Sequence, residues 1–274
     1  MFDGATRQCD LCILLPVLNE IENIEPLLQR IDAALAGRRY LVCLVDDGST
    51  DGTREYLEAE AGRHPDRLHL IKRMKTVRGS QRGGALHAAM MWSLENTTAD
   101  IFVEMDGDLS HRPEELPAGI DRIASGRVDV AIASKYLRGS RVTNRPFGRR
   151  LVSRLCNVGV RLLLSLAVRD YSNGYRFYRR AAALAIAETR IRFTSPIYLT
   201  EAMGIWLSRS LRIGEFPSHY VGRNEGLSKL RLIDLVKASL AIFHVALRLH
   251  VFGFKRAEPC GTQVVKRAAQ SAEA

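Results

Sequence analysis

The first half of the chain alternates short apolar runs with stretches of helical spacing. Three of the runs end in acidic or amide side chains. LCILLPV, at 11–17, leads into Asn19 and Glu20. YLVCLV, at 40–45, leads into Asp46, Asp47 and a loop of small and acidic residues, GSTDGT. IFV, at 101–103, opens the stretch IFVEMDGDLSHRPE and delivers Asp106-Gly107-Asp108. Runs this continuous in apolar residues fit strands buried on both faces, and the spacing between them fits βαβ units. The pattern predicts an α/β fold: a Rossmann-like, mostly parallel sheet with helices on both faces. Ligands of such sheets bind beyond the carboxyl ends of the strands, so the three polar termini are expected on one edge.

The remaining elements follow from the same signals. Ile24, Leu27, Leu28, Ile31 and Leu35 mark a helix that Gly37 stops. A helix over 54–60 is expected, with Thr53 or Asp51 as its cap. A short strand over 68–71 precedes a flexible basic loop, RGSQRGG, and a helix over 85–94. Pro113, Glu114 and Glu115 suit the first turn of a helix carrying Leu116, Ile120 and Ile123. A strand is expected over 129–134.

Asp106-Gly107-Asp108 carries the chemistry. Two carboxylates one residue apart, on a turn softened by glycine, can converge on one hard cation. A lone D-x-D is more often an acidic turn, and it is the neighbouring strand ends that give this one weight. Neither G-x-x-x-x-G-K-[ST] nor a G-x-G-x-x-G after the first strand is present, which removes support from ATPase and dehydrogenase readings.

Charge divides the chain. Residues 1–134 hold 15 Lys+Arg against 22 Asp+Glu, and 135–274 hold 25 against 8, so net charges of −7 and +17 make up the overall +10. The second half therefore suits an anionic partner: a membrane surface, a nucleic acid or a phosphorylated substrate. A nucleic-acid module would interleave aromatics with Lys and Arg, but aromatics are only 7% and the basic helices carry leucines, so no nucleic acid is expected. Five cysteines make no disulfide framework; Cys9 and Cys12 read as structural thiols in a reducing compartment. The N-terminus lacks an apolar leader, and no uncharged apolar run reaches 18 residues. A cytoplasmic protein, peripheral at the cytoplasmic face of a membrane, is the expectation.

In the second half, 151–168 carries Arg154, Asn157, Arg161 and Ser165 at helical spacing among apolar residues. Residues 233–249 repeat the pattern with Asp234, Lys237, His244 and Arg248. Either helix can pack against the other, or both can lie in a membrane interface with the narrow basic stripe on phosphate headgroups. Asp170 and Arg176, in DYSNGYR, can form a structural ion pair around Gly174. Arg223 and Lys229 flank a glycine in RNEGLSK. Histidines carry little; His111 is expected to lie behind the metal motif or to face solvent.

PVLNEIENI, VDDGSTDGT and MDGDLSHRPE, in this order, resemble the nucleotide-sugar domain of family 2, GT-A-fold glycosyltransferases. DGDLSHRPE, ASKYLRGS, DYSNGYRFYRR and GRNEGLSKL together resemble the dolichol-phosphate mannose synthase type. The resemblance covers roughly 11–235. It implies transfer of a sugar, most simply mannose from GDP-mannose, to a polyprenyl phosphate with inversion. Another nucleotide sugar such as UDP-glucose, or a non-lipid acceptor, stays open. A nucleotidyltransferase has less support, since PVLNE is not a Gly-rich basic signature.

Carried onto this sequence, the resemblance places Pro16, Leu18 and Glu20 at the base and ribose, with Leu18 where an aromatic is common. Asp47 would bind the nucleoside. Asp106, Gly107 and Asp108 would face the diphosphate, with Mg²⁺ or Mn²⁺ on Asp106 and Asp108 and Ser110 as a weaker third ligand. Lys135, Arg223 and Lys229 would act with Asp108 in catalysis by holding the phosphates, and Arg78 and Arg82 can also meet phosphate. The implied organisation is an extension over 1–10 and a GT-A domain over 11–230. That domain divides into a nucleotide-sugar half, 11–134, and an acceptor half, 135–230. An interfacial amphipathic helix over 231–253 and a disordered tail over 254–274 follow.

Overall fold

The computed structural model describes residues 6–74, 81–144, 146–222 and 232–256, of which 149 and 232–236 are described by their backbone alone. The first half runs β1 (Leu11–Val17), α1 (Ile21–Ala34), β2 (Tyr40–Asp46), α2 (Thr53–Arg63), β3 (Leu68–Lys72), α3 (Arg82–Asn96), β4 (Ile101–Glu104), α4 (Leu116–Ala124) and β5 (Val130–Ser134). The second half adds β6 (Arg141–Thr143), α5 (Phe147–Leu163), β7 (Arg176–Arg179), α6 (Arg180–Ala187), α7 (Tyr198–Ser208), β8 (Ile213–Pro217), β9 (His219–Val221) and α8 (Leu232–Leu247).

Seven strands form one sheet in the order β3-β2-β1-β4-β7-β5-β8. β1 pairs parallel with β2 and β4, β2 with β3, and β5 with β8. β7 alone runs antiparallel to both its neighbours. The sheet is thus mostly parallel, as the apolar runs predict. Alternation along each strand sends successive side chains to opposite faces. Cys12, Leu14, Cys43 and Phe102 pack with α3, α6 and α7 on one face. Ile13, Leu15, Leu44 and Val103 pack with α1 and α4 on the other. α4 approaches closely enough that a Cβ at Gly119 would collide with the Phe177 ring. β6 and β9 make a separate parallel pair beside the sheet. Cys9, Cys12 and Cys43 are buried and free, in keeping with structural thiols.

Two expectations about the basic helices change. α5 turns Asn157 and Arg161 of its polar stripe towards the protein, while Arg154 is exposed. Asn157 donates to the Arg169 carbonyl at 2.5 Å and accepts the Tyr171 N–H at 2.9 Å. Arg161 donates to the carbonyls of Val168 and Leu166. These bonds satisfy backbone groups of 166–171 that no regular ladder serves. The apolar side is left outward: Phe147 is 77% exposed, Leu155 62%, Leu162 70% and Leu166 63%.

Arg248 likewise turns inward rather than joining Lys237 on a headgroup-facing stripe. It lies in a π-helical turn after α8 and pairs with Glu201 of α7, both buried. Glu201 also accepts the N–H groups of Arg192 and Phe193. His244 meets the Arg192 guanidinium at 2.9 Å, Lys237 is exposed, and the side chain of Asp234 lies outside the described set. No helix among the described residues is long and apolar enough to cross a membrane. Removing one partner of a buried ion pair strands the other charge, so Arg248→Met is expected to lower stability by about 3–5 kcal/mol. Urea unfolding followed by circular dichroism measures it; a change under about 1 kcal/mol would place Arg248 in solvent.

Candidate active site

The carboxyl ends of β2, β1 and β4 are neighbours in the sheet, and their loops are knitted together. Asn19, in the left-handed region at φ 56, donates its N–H to Ser49 Oγ and accepts the Thr50 N–H. Thr53 Oγ1 accepts the Glu20 N–H and donates to Asp51. Asp51 also takes the Thr53 N–H, one residue before the expected helix, and the Ile21 N–H. The Asp47 N–H bonds the Val17 carbonyl, and the Met105 N–H that of Leu14. A Cβ at Gly107 would stand 3.4 Å from Pro16 O and 3.8 Å from Glu20 Cγ. The three polar termini therefore share one edge, as the sequence predicts, with Pro16, Leu18 and Glu20 half-buried beside Gly107.

The two aspartates of the second loop have different tasks. Asp46 is fully buried, holding the Ser49 N–H at 3.0 Å and Arg54 Nε at 2.6 Å, so it braces the loop. Asp47, at the mouth, lies 2.9 Å from Arg73 Nη1 in a charge contact that is not aligned as a hydrogen bond. Arg73 carries no signal in the sequence, because it stands just past β3 in an unpatterned basic run.

Asp106 and Asp108 follow β4. Asp108 Oδ1 accepts the Ser110 N–H at 3.0 Å, closing a tight turn with Leu109 at φ 60. A leucine in the left-handed region stores strain, which persists where surrounding bonds over-determine it. Asp106 Oδ1 takes Arg82 Nε at 2.5 Å. Burial works against the Arg82 charge, but the carboxylates of Asp106 and Glu104 hold its pKa above the ordinary value. The Asp106 N–H donates to His111 Nδ1 at 3.0 Å, which leaves the proton on Nε2, 3.0 Å from Asn173 Oδ1. Burial lowers the His111 pKa and favours this neutral form. His111 therefore sits behind the motif and joins it to DYSNGYR. Beneath it, Glu104 is fully buried under the hydroxyls of Tyr178 and Tyr198, and burial raises its pKa.

The residues fit a hard divalent cation. Two carboxylates and a hydroxyl stand at one turn, and hard oxygen donors suit Mg²⁺ or Mn²⁺. Ser110 Oγ is buried with no hydrogen-bond partner among the described residues, as a ligand or a water-mediated ligand would be. No group of three or more His, Cys, Asp and Glu side chains gathers as a cage among the described residues.

Lys135 sits at the end of β5. Its N–H bonds Asp170 Oδ2 at 2.8 Å and its Nζ lies 4.8 Å from the centre of the Tyr220 ring. Asp170 also takes the N–H groups of Ser172 and Asn173. Arg176 donates to the carbonyls of Tyr171, Asn173 and Leu199. The two thus fold the same segment by separate bonds, and the expected Asp170–Arg176 ion pair is not made. Arg78, Arg223 and Lys229 lie outside the described residues.

Asp106 and Asp108 thus follow one strand end, His111 braces their turn, and Lys135 stands at the end of β5. Residues 12–186 match the model of Glycosyl transferase family 2. A polyprenol monophosphomannose synthase of Mycolicibacterium smegmatis is 30% identical over 86% of this chain and 86% of its own. A dolichol-phosphate mannosyltransferase of Pyrococcus furiosus is 32% identical over 80% of this chain and 58% of its own. An undecaprenyl-phosphate mannosyltransferase of Micrococcus luteus is 32% identical over 79% and 86%. Among solved structures, Mycobacterium tuberculosis glucosyl-3-phosphoglycerate synthase, with Mn²⁺ and UDP, superposes at TM-score 0.59 and 19% identity, covering 92% of this chain and 87% of that one. That likeness carries the fold; the family model and the relatives carry the rest, and the chain belongs to the family 2 glycosyltransferases.

Proposed function

We propose that the chain moves mannose from GDP-mannose to a polyprenyl phosphate, with inversion at the anomeric carbon. The observation that carries this is the acidic strand edge in a chain three of whose relatives, 30–32% identical, are named for polyprenyl-phosphate mannosyl transfer, while others at 33% are named for transfer of 4-deoxy-4-formamido-L-arabinose to undecaprenyl phosphate. Pro16, Leu18, Glu20 and Asp47 take the nucleoside, and Asp106, Gly107, Asp108 and Ser110 face the diphosphate. A divalent cation bound by Asp106, Asp108 and Ser110 supplies charge neutralisation for the leaving diphosphate.

The acceptor is a phosphate ester that is ionised at neutral pH, so attack on the anomeric carbon needs no strong general base. The work left to the protein is to hold two anions close and in line. Lys135 is assigned this task on the acceptor side, and the bond from its N–H to Asp170 supports the assignment. Arg223 and Lys229 are assigned the same task. The outward apolar face of α5 and the +17 charge of 135–274 support peripheral docking on an anionic membrane, at its cytoplasmic face.

A donor screen tests the assignment. The protein is incubated with Mn²⁺, a short-chain polyprenyl phosphate and GDP-mannose or UDP-glucose in turn, and lipid-linked sugar is read by mass spectrometry. Product from GDP-mannose is expected. Product from UDP-glucose alone would overturn the donor, and transfer only to a water-soluble phosphate the acceptor.

A further inference from the structure

We propose that Arg82 is a built-in counter-ion that makes divalent-cation binding conditional on the donor diphosphate. This rests on Asp106 and Asp108 being the cation's carboxylates. Arg82 is the first residue of α3, and its side chain is only 16% exposed. Its Nε reaches Asp106 Oδ1 at 2.5 Å and its Nη2 the Gly174 carbonyl at 3.5 Å. A Cβ at Gly174 would collide with the guanidinium, so the segment 170–176 is shaped around it. One side chain thereby joins the start of α3, the Asp106 turn and the loop that holds Lys135.

A fixed positive charge on a ligand carboxylate competes with an incoming cation. The competition is strong in a site this enclosed, where charges are poorly screened. A diphosphate changes the balance. It brings negative oxygens that a guanidinium can take in place of Asp106, and Arg matches phosphate geometry with its planar fork. Asp106 would then be available, with Asp108 and Ser110, to hold the cation beside the diphosphate. Cation and nucleotide therefore reinforce one another's binding, by the same factor in each direction. The consequence is that the site does not load with cation until donor is present.

Electron paramagnetic resonance of free Mn²⁺ tests this on the whole chain, with and without GDP. Wild type is expected to bind Mn²⁺ weakly alone and at least about tenfold more tightly with GDP, within the usual range of linked sites. Arg82→Leu is expected to bind Mn²⁺ alone about tenfold more tightly than wild type and to gain little from GDP. Arg82→Lys keeps the charge and should keep the GDP dependence. Circular dichroism confirms folding; if Arg82→Leu does not fold, Arg82→Gln, which keeps donors without charge, takes its place. A folded neutral variant that binds Mn²⁺ alone no better than wild type overturns the role of Arg82 and leaves the carboxylate site standing. Failure of every protein to bind Mn²⁺, with GDP or without, overturns the carboxylate site and this inference with it.

Discussion

Asp108→Asn is expected to cut sugar transfer by at least about 10²-fold while leaving the fold intact, since removing one preorganised charge-stabilising group costs on that order. Asn keeps the Oδ1 that accepts the Ser110 N–H, so the turn survives. What is lost is one negative charge and one hard donor beside the diphosphate. The measurement is the initial rate of lipid-linked sugar at saturating donor, with Mn²⁺ binding and thermal unfolding alongside. Rate and Mn²⁺ affinity should fall together with the melting temperature unchanged. Asp106→Asn is the less clean experiment, because it also removes the counter-charge of Arg82. Full activity of Asp108→Asn in excess chelator would remove the cation from the reaction.

The strands were legible because parallel strands buried on both faces need unbroken apolar sequence, and Leu11–Val17 and Tyr40–Asp46 supply it. Their acidic ends were legible for the converse reason: charge at the end of an apolar run has to reach solvent or a ligand. β7 was not, since Arg176–Arg179 begins and ends in arginine. Its place between β4 and β5 depends on pairing partners about 75 and 47 residues away in sequence. Helical periodicity showed a polar stripe on α5 without showing which way it faces. That depends on backbone groups at 166–171 that need side-chain partners, and no local pattern records such a need. Arg248 was misread for the same reason: its partner Glu201 is 47 residues away. In the site, Asp106 and Asp108 announced themselves by spacing. The sequence offers Arg82 as a cation able to meet phosphate, but its pairing with Asp106 depends on the packing of α3 on β1 and β2, next to β4 in the sheet.

Leu155→Glu combined with Leu162→Glu is expected to reduce binding to anionic vesicles by at least about 10²-fold. Both side chains are more than half exposed on α5, with Phe147, Leu151 and Leu166 exposed along the same helix and its loop. Contiguous apolar surface of this kind marks an interaction site. Fully burying a leucine in an apolar phase contributes about 1.5–3 kcal/mol, so removing two accounts for the expected loss before any cost of burying glutamates. Arg150 and Arg154 are exposed on the same helix, and each cation near an anionic leaflet adds on the order of 1 kcal/mol, screened by salt. Binding should therefore be stronger on phosphatidylglycerol than on phosphatidylcholine vesicles and fall in part with salt. Neither leucine packs in a core cluster, so thermal unfolding and GDP binding should hold. Transfer to a long-chain polyprenyl phosphate in vesicles should drop while transfer to a short soluble analogue persists, because the substitutions act on docking and not on the sheet edge. Co-sedimentation and the two transfer rates measure this. Equal partitioning of wild type and variant would take the membrane off this face, and a dimer in solution that the variant dissolves would put a second copy there instead.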